Sequence, residues 1–168
     1  MPLSDDIKFD PFVIERLMDV LRTAFTSRFK EYYLGDPVAI PVSALPCMVI
    51  EKESSTVEHD ATGFDRVTSR VIIKLIENKK VDFHNPGQRK SSHFHFHKLV
   101  EGRDPTTRQY LDQTVLGVIR KQFTLSDTLI DQSLEIEYGI GLRPDELMTS
   151  EATVTITLQE LVEIGSRT

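Results

Sequence analysis

The chain has a single cysteine, Cys47, and no apolar run long enough to cross a bilayer. One cysteine cannot form an internal disulfide, as expected of a protein made in a reducing compartment. The longest apolar runs are only a few residues, whereas a membrane-spanning helix needs about 20. The acidic start, Met1–Asp6, also lacks the apolar core of a secretion signal. We therefore expect neither a membrane span nor export by such a signal.

The sequence also lacks the common catalytic and nucleotide-binding signatures. Gly139-Ile140-Gly141 has no third glycine and no strand-to-helix setting, so it does not match a dinucleotide loop. No nucleophile elbow and no paired cysteines for a metal knuckle occur. Cys47 follows Pro46 at the start of an apolar stretch, which is typical of a packing residue rather than a nucleophile. We therefore expect no enzymatic activity and no cofactor.

Composition indicates one folded domain, residues 1–168. Of these residues, 39% are hydrophobic and 27% are charged, a balance typical of a soluble domain with its own core. The net charge of −6 argues against a protein that binds nucleic acid by neutralising its phosphates. It is compatible with a protein that lets nucleic acid slide past, although charge alone does not separate that role from ordinary solubility.

Periodicity predicts the order helix, strand, strand, helix, strand, strand. Between the first helix and the first strand lies a connector, Leu34–Pro46, with three prolines that stiffen it. The first two strands read as an antiparallel hairpin. The predicted helices are 10–33 and 105–123, and each begins with an aspartate N-cap before a proline: Asp10 before Pro11 and Asp104 before Pro105. The predicted strands are 47–57, 66–77, 133–140 and 152–158, and residues 141–150 form a turn-rich stretch.

These elements predict an α+β fold with a mostly antiparallel four-stranded sheet and two helices packed on one face. For residues 78–103 we then predict an inserted His-rich loop or flap. The strand over 66–77 carries apolar residues on both faces, among them Ile72 and Ile73. The second sheet face therefore needs cover, from either a partner subunit or the insertion.

The strongest candidate for a metal site is the segment Ser92–Lys98, in which histidine and phenylalanine alternate. On a strand, His93, His95 and His97 would share one face and could ligate zinc or another transition metal, with His84 or water completing the shell. Asp82 and Glu101 would be the nearest acid or base. Three same-face residues span about 13 Å on a flat strand, which disfavours a single ion. The alternatives are a strand that buries Phe94 and Phe96 and exposes its histidines, or a pH-sensitive interface.

Three features are distinctive together: the element order, the entry to the first strand, Ala44-Leu45-Pro46-Cys47-Met48-Val49-Ile50, and the closing strand, Ala152-Thr153-Val154-Thr155-Ile156-Thr157. In these features the chain resembles the tail terminator proteins of long-tailed bacteriophages. The resemblance covers about residues 12–158 and depends on element order rather than on a diagnostic motif. Residues 78–103 are longer and richer in histidine than the family pattern implies.

The resemblance implies a structural virion protein of the tail-neck region, synthesised in the host cytoplasm. Such proteins close the tail tube as a hexameric ring and meet the tail tube protein and the head-completion or stopper protein. Double-stranded DNA passes through the lumen without sequence-specific binding, and no catalytic residues carry over. Ring closure would use head-to-tail contacts, with the hairpin around 56–65 or the His-rich flap reaching a neighbour.

Two other functions compete with this interpretation. One is a small metal-binding protein or metal-dependent enzyme that uses His93, His95 and His97. The other is a monomeric adaptor whose exposed strands recruit another chain. Bound metal would identify the first, and the lack of both ring and metal would identify the second.

Overall fold

A mixed sheet with helices on one face forms the protein. The computed structural model describes residues 13–61, 63–82, 92–121, 129–130 and 133–165. These residues form helices α1 (Val13–Ala24), α2 (Ser92–Glu101) and α3 (Val115–Lys121), and strands β1 (Glu31–Leu34), β2 (Cys47–Ala61), β3 (Phe64–Asn78), β4 (Leu129–Ile130), β5 (Glu135–Arg143) and β6 (Leu147–Glu163). Short 3-10 turns occupy Val42–Ala44 and Lys79–Asp82.

The strand order is β1-β2-β3-β6-β4, and β5 also pairs with β6. Strand β1 runs parallel to β2, and all other pairings are antiparallel. The predicted α+β class is confirmed. The predicted set of four strands and two helices is too small, because β1, β4 and one helix were not foreseen.

The first helix ends earlier than its periodicity predicts. It stops at Ala24 rather than near Tyr33, and the chain turns into β1. Phe25, Phe29 and Tyr32 nevertheless stay together through edge-to-face contacts, with ring centroids 6.1 and 6.0 Å apart. The Tyr32 hydroxyl donates a hydrogen bond to the Phe25 carbonyl at 2.6 Å. The apolar residues whose spacing predicted a longer helix therefore belong to a turn and to strand β1. The predicted cap at Asp10 and Pro11 lies outside the described residues.

The predicted hairpin between the first two long strands is confirmed, and it is longer than predicted. Its register runs from the pair Cys47–Ile76 to the pair Ala61–Phe64, with irregularities around Glu53 and Asp60. Gly63 lies in the turn between Ala61 and Phe64, and its φ of +94° is one that a residue with a side chain rarely adopts.

The last two long strands form a second hairpin where a turn-rich stretch was predicted. Pairing between β5 and β6 continues to Arg143 and Leu147, so only Pro144–Glu146 turn. Asp145 and Glu146 accept positive φ angles of 62° and 56° there. The alternation of buried residues along the closing strand, from Ala152 to Leu158, is confirmed.

The second predicted helix, over 105–123, is mostly wrong. Asp104 caps only a turn, because its Oδ1 accepts hydrogen bonds from the backbone N–H groups of Thr106 and Thr107 at 2.8 and 2.7 Å. The helix α3 begins later, and the Thr114 hydroxyl caps it by accepting the Gly117 N–H at 3.0 Å. Among the described helices, none is long and apolar enough to span a membrane.

Gly117 lies where the backbone of the preceding loop passes close to α3. A Cβ at this position would overlap the Leu111 carbonyl oxygen, and Thr114 Oγ1 would be 2.9 Å away. We expect Gly117→Ala to lower the free energy of unfolding by about 1–3 kcal/mol, since overpacking outweighs the better helix propensity of alanine. Urea denaturation measures this loss. Gly139→Ala is the matched control because its Cβ would meet no atom within 4 Å; equal effects in the two variants would contradict the overlap.

One sheet face and all three helices enclose the main core. Its members are buried residues of α1, α2, α3, β2, β3 and β6 and of the turn after α1, among them Leu17, Leu21, Phe25, Met48, Ile50, Ile73, Leu75, Phe96, Val100, Ile119, Val154 and Ile156.

A smaller cluster lies on the opposite face of the sheet. The connector supplies Ile40, Ala44 and Leu45, which pack against residues of the sheet that include Cys47, Val49, Ile76 and Leu147. The connector, rather than the insertion or a partner, therefore covers this end of the second face. The Leu45–Pro46 peptide bond is cis. Cys47 is fully buried, and burial raises the pKa of its thiol to about 12, consistent with its predicted packing role.

Candidate functional site

The histidine-rich segment is a helix, which corrects the predicted strand or flap. Phe96 is buried in the main core, whereas Phe94 is exposed, so the two rings do not share a face. His95 and His97 are exposed. Phe96 and Val100 are four residues apart, a helical spacing that the alternation of histidine and phenylalanine obscures. His93, His95 and His97 therefore do not line one face of a strand.

The predicted metal ligands do not come together in the described part of the chain. There, no group of three His, Cys, Asp or Glu side chains is arranged to hold a metal ion. The His97 ring packs on the Tyr138 ring with centroids 4.1 Å apart. Tyr138 in turn donates a hydrogen bond to Glu101 at 2.5 Å. Burial first, and then Glu101, raise the pKa of Tyr138. His84 lies outside the described residues.

The predicted insertion, residues 78–103, is in part a structural element of the core. Helix α2 contributes Phe96 and Val100 to the buried cluster, and Glu101 fastens its end to β5 through Tyr138. Residues 83–91 lie outside the described residues. A deletion that reached His97 would remove Phe96 and damage the core, so it would not test whether this segment contacts a neighbour.

A five-residue ion-pair network, which sequence analysis missed, fastens the connector to the sheet. Arg143 binds the carboxylate of Asp36 with two nitrogens, at 2.8 and 3.2 Å, and its Nε donates to Glu151 at 2.9 Å. Lys74 Nζ lies 2.9 Å from Asp36 and 3.0 Å from Glu51. The network therefore joins the connector to strands β2, β3, β5 and β6.

The network strongly favours the charged form of Asp36. Burial opposes ionisation of this carboxyl, but the hydrogen bonds from Arg143 and Lys74 outweigh it and hold its pKa well below the ordinary value. Arg143 also loses solvent, yet Asp36 and Glu151 raise its pKa above the usual range. The Arg143 side chain is only 9% exposed. Five mutually satisfied groups at this depth favour a structural role over a catalytic one.

The same network holds Val38 in a strained conformation. Val38 has a φ of +64°, which is unusual for a β-branched residue. Its N–H donates to Asp36 Oδ1 at 2.9 Å, and its carbonyl accepts a bond from Arg143 at 3.2 Å. The apolar side chain remains 62% exposed. The connector thus displays Val38 on a fixed backbone, and it also exposes Leu34 and Val42.

Three strands of the sheet continue past most of the core as an arm, whose root is still held by the core. Leu158 is fully buried, β4 pairs with Leu158 and Gln159, and Arg16 of α1 binds Glu160 at 2.6 Å. We define the arm as residues 53–61 of β2, 64–70 of β3 and 157–163 of β6. Near its free end, the exposed apolar residues are Val57, Phe64, Leu161, Val162 and Ile164. This group is the arm tip patch. The register places Val57 and Val162 on one face of the sheet and Phe64 and Leu161 on the other, so the tip exposes apolar side chains on both of its faces. Exposed large apolar side chains at a projecting end are typical of an interaction surface.

The outer edge of β2 is open along the arm. Strand β1 pairs only with Cys47–Ile50, and no other described strand pairs with that edge. Ser54–Val57 present an uncharged stretch there, between Glu53 and Glu58. An unpaired edge of this kind can accept a strand from another chain.

A second set of exposed apolar residues lies at the opposite end of the sheet. Ile140, Leu142 and Met148 project from the β5–β6 hairpin, with Leu142 78% exposed. This end also carries the exposed connector residues Val38 and Val42. The molecule therefore exposes apolar side chains at two ends, which differ in the residues they carry and are separated by the length of β3.

Comparison with models of protein families and with curated protein sequences finds no match to this chain.

Proposed function

We propose that this chain is a structural virion protein that forms a closed ring on a phage tail tube, as its resemblance to tail terminators implies. In this proposal the ring joins the tube to the head-completion or stopper protein. It contains six copies, acts by assembly rather than by catalysis, and lies in the tail-neck region of the virion.

The arm with its apolar tip is the observation that carries this proposal. The outer end of this arm gains little from its own packing, because Val57, Phe64 and Leu161 stay exposed. A neighbouring subunit would bury them. The dissimilar surface at the other end of the sheet supports a head-to-tail contact, which closes into a ring when the rotation per subunit divides the circle.

Passage of DNA fits the charge of the chain. A net charge of −6 leaves the protein repelling phosphates rather than retaining them. We propose that double-stranded DNA crosses the lumen without sequence-specific contacts, because a conduit must not hold its cargo.

Native mass spectrometry of the untagged protein tests the ring. We expect a closed species with six times the 19.2 kDa subunit mass and no bound metal. The measurement should cover a range of concentrations, since rings lost by dilution must return on concentration. A monomer with one stoichiometric metal ion would instead favour the metal-binding alternative. A bare monomer at every concentration, which also fails to cap purified tail tubes, would contradict the proposal.

A further inference from the structure

A cleft of about 480 Å³ opens on the helix side of the sheet, at the end away from the arm. It lies between the turn after α1, helix α2 and the loop before α3. Its apolar walls are Phe29, Phe96, Leu99 and Leu111. Leu111 is 44% exposed at the mouth. The cleft therefore offers an apolar surface that a side chain from outside could reach.

The surroundings of this cleft are cationic, although the chain as a whole is acidic. The cations Arg28 and Lys98 line it, together with the His95 ring and the single carboxylate Glu77. The adjoining segments carry charges of both signs: Lys30 and Glu31 at the start of β1, Lys79 and Lys80 just after β3, and Asp112 next to Leu111. An occupant that combines apolar side chains with negative charge would complement this cleft.

The arm tip patch has that composition. Glu58, Asp60, Asp65 and Glu163 surround Phe64 and the neighbouring apolar residues, and Arg66 is the only lysine or arginine among residues 57–66. Arg66 is already paired with Asp60 at 2.8 Å. The tip therefore presents apolar side chains within a net negative border.

The tip cannot reach the cleft of its own subunit. Phe64 begins β3 and Glu77 lies near its end, so the two sites are about 40 Å apart at about 3.3 Å per residue. Contact between them requires two molecules. We propose that the arm tip of one subunit occupies the cationic cleft of the next, which makes this contact the head-to-tail interface of the ring. The inference rests on the proposed function and names the surfaces by which the subunits join.

Disulfide trapping tests the interface. The double variant Phe64→Cys/Leu111→Cys places one thiol at the tip and one at the mouth of the cleft, both at exposed positions. Cys47 is fully buried, so it adds no competing thiol. Under mild oxidation, we expect a ladder of linked subunits that ends at the ring. The two single variants, when mixed, should give one linked pair and no longer product.

Each outcome separates the interface from the ring. Rings of native mass without any linked product would overturn the interface and leave the proposed function standing. Monomers without links would overturn both. Linked pairs from either single variant alone would indicate a symmetric contact and would also overturn the proposal.

Charge reversal provides a second measurement that does not depend on cysteine chemistry. Lys98→Glu and Glu163→Lys should each raise the concentration for half-assembly by about tenfold or more, because like charges then meet across the interface. The combined variant should recover much of this loss. Lys52→Glu, an exposed cation at the root of the arm, is the control and should assemble normally. Failure of the pair to compensate would contradict the predicted contact.

Discussion

Asp36→Asn is expected to lower the free energy of unfolding at neutral pH by about 3 kcal/mol, since it leaves partly buried cations without their partner. Asp36 accepts bonds from both Arg143 and Lys74 and also from the Val38 N–H. An asparagine keeps the shape of the side chain but loses the charge. Urea denaturation at pH 7 measures the loss.

The same variant should change the response to acid. The pKa of Asp36 in the folded protein is lower than in the unfolded chain, where it is about 3.9. Ionised Asp36 therefore contributes stability above about pH 4, and this contribution is lost as the pH falls below that value. The wild type should lose this stability progressively as the pH falls below about 4 towards the lower pKa of folded Asp36. Asp36→Asn should show a correspondingly flatter decline.

Asp19→Asn is the matched control. Asp19 is exposed on α1, and the substitution removes the same charge without touching the network. We expect a change within about 0.5 kcal/mol at pH 7, the usual range for surface substitutions. If Asp36→Asn and Asp19→Asn had equal stabilities and equal acid profiles, the network would not contribute to the fold as its geometry implies.

The long strands could be predicted because their signal is local. The run from Val71 to Leu75 and the run from Ala152 to Leu158 alternate with period two, and each keeps one face in the main core. The short strand β1 could not be predicted this way. Tyr32 continues the helical spacing of Phe25 and Phe29, and only tertiary packing turns that spacing into a bend and a strand.

The strand or flap predicted for the His-rich segment was wrong, because residues alternate there with the period of a strand. Histidine and phenylalanine at period two dominate the pattern, whereas Phe96 and Val100 carry the burial at helical spacing. The network has no local signal at all. Arg143 and Asp36 are 107 residues apart in the chain, so only the fold brings them together. The connector did carry a signal, since its prolines predicted a stiff path into β2, but not the face that it covers.

Shortening the arm should convert the ring to monomers while the core remains folded. The variant replaces residues 56–68 by Asn-Gly, a two-residue turn that suits a hairpin, and so joins the paired residues Ser55 and Ser69. It removes Val57 and Phe64 from the tip and leaves the helices untouched. Native mass spectrometry should then detect the monomer alone at concentrations where the wild type forms rings.

Two observations make that result specific. Circular dichroism and cooperative thermal unfolding should persist, because the main core draws on β3 only from Val71 onward. The control Thr56→Ser/Thr68→Ser changes a cross-strand pair within the same segment but keeps the arm, and it should still form rings. Rings from the shortened variant would show that subunits join elsewhere and would remove the arm from the assembly proposal. Loss of rings in both variants would mean that the open surface of the arm, rather than its tip, makes the contact.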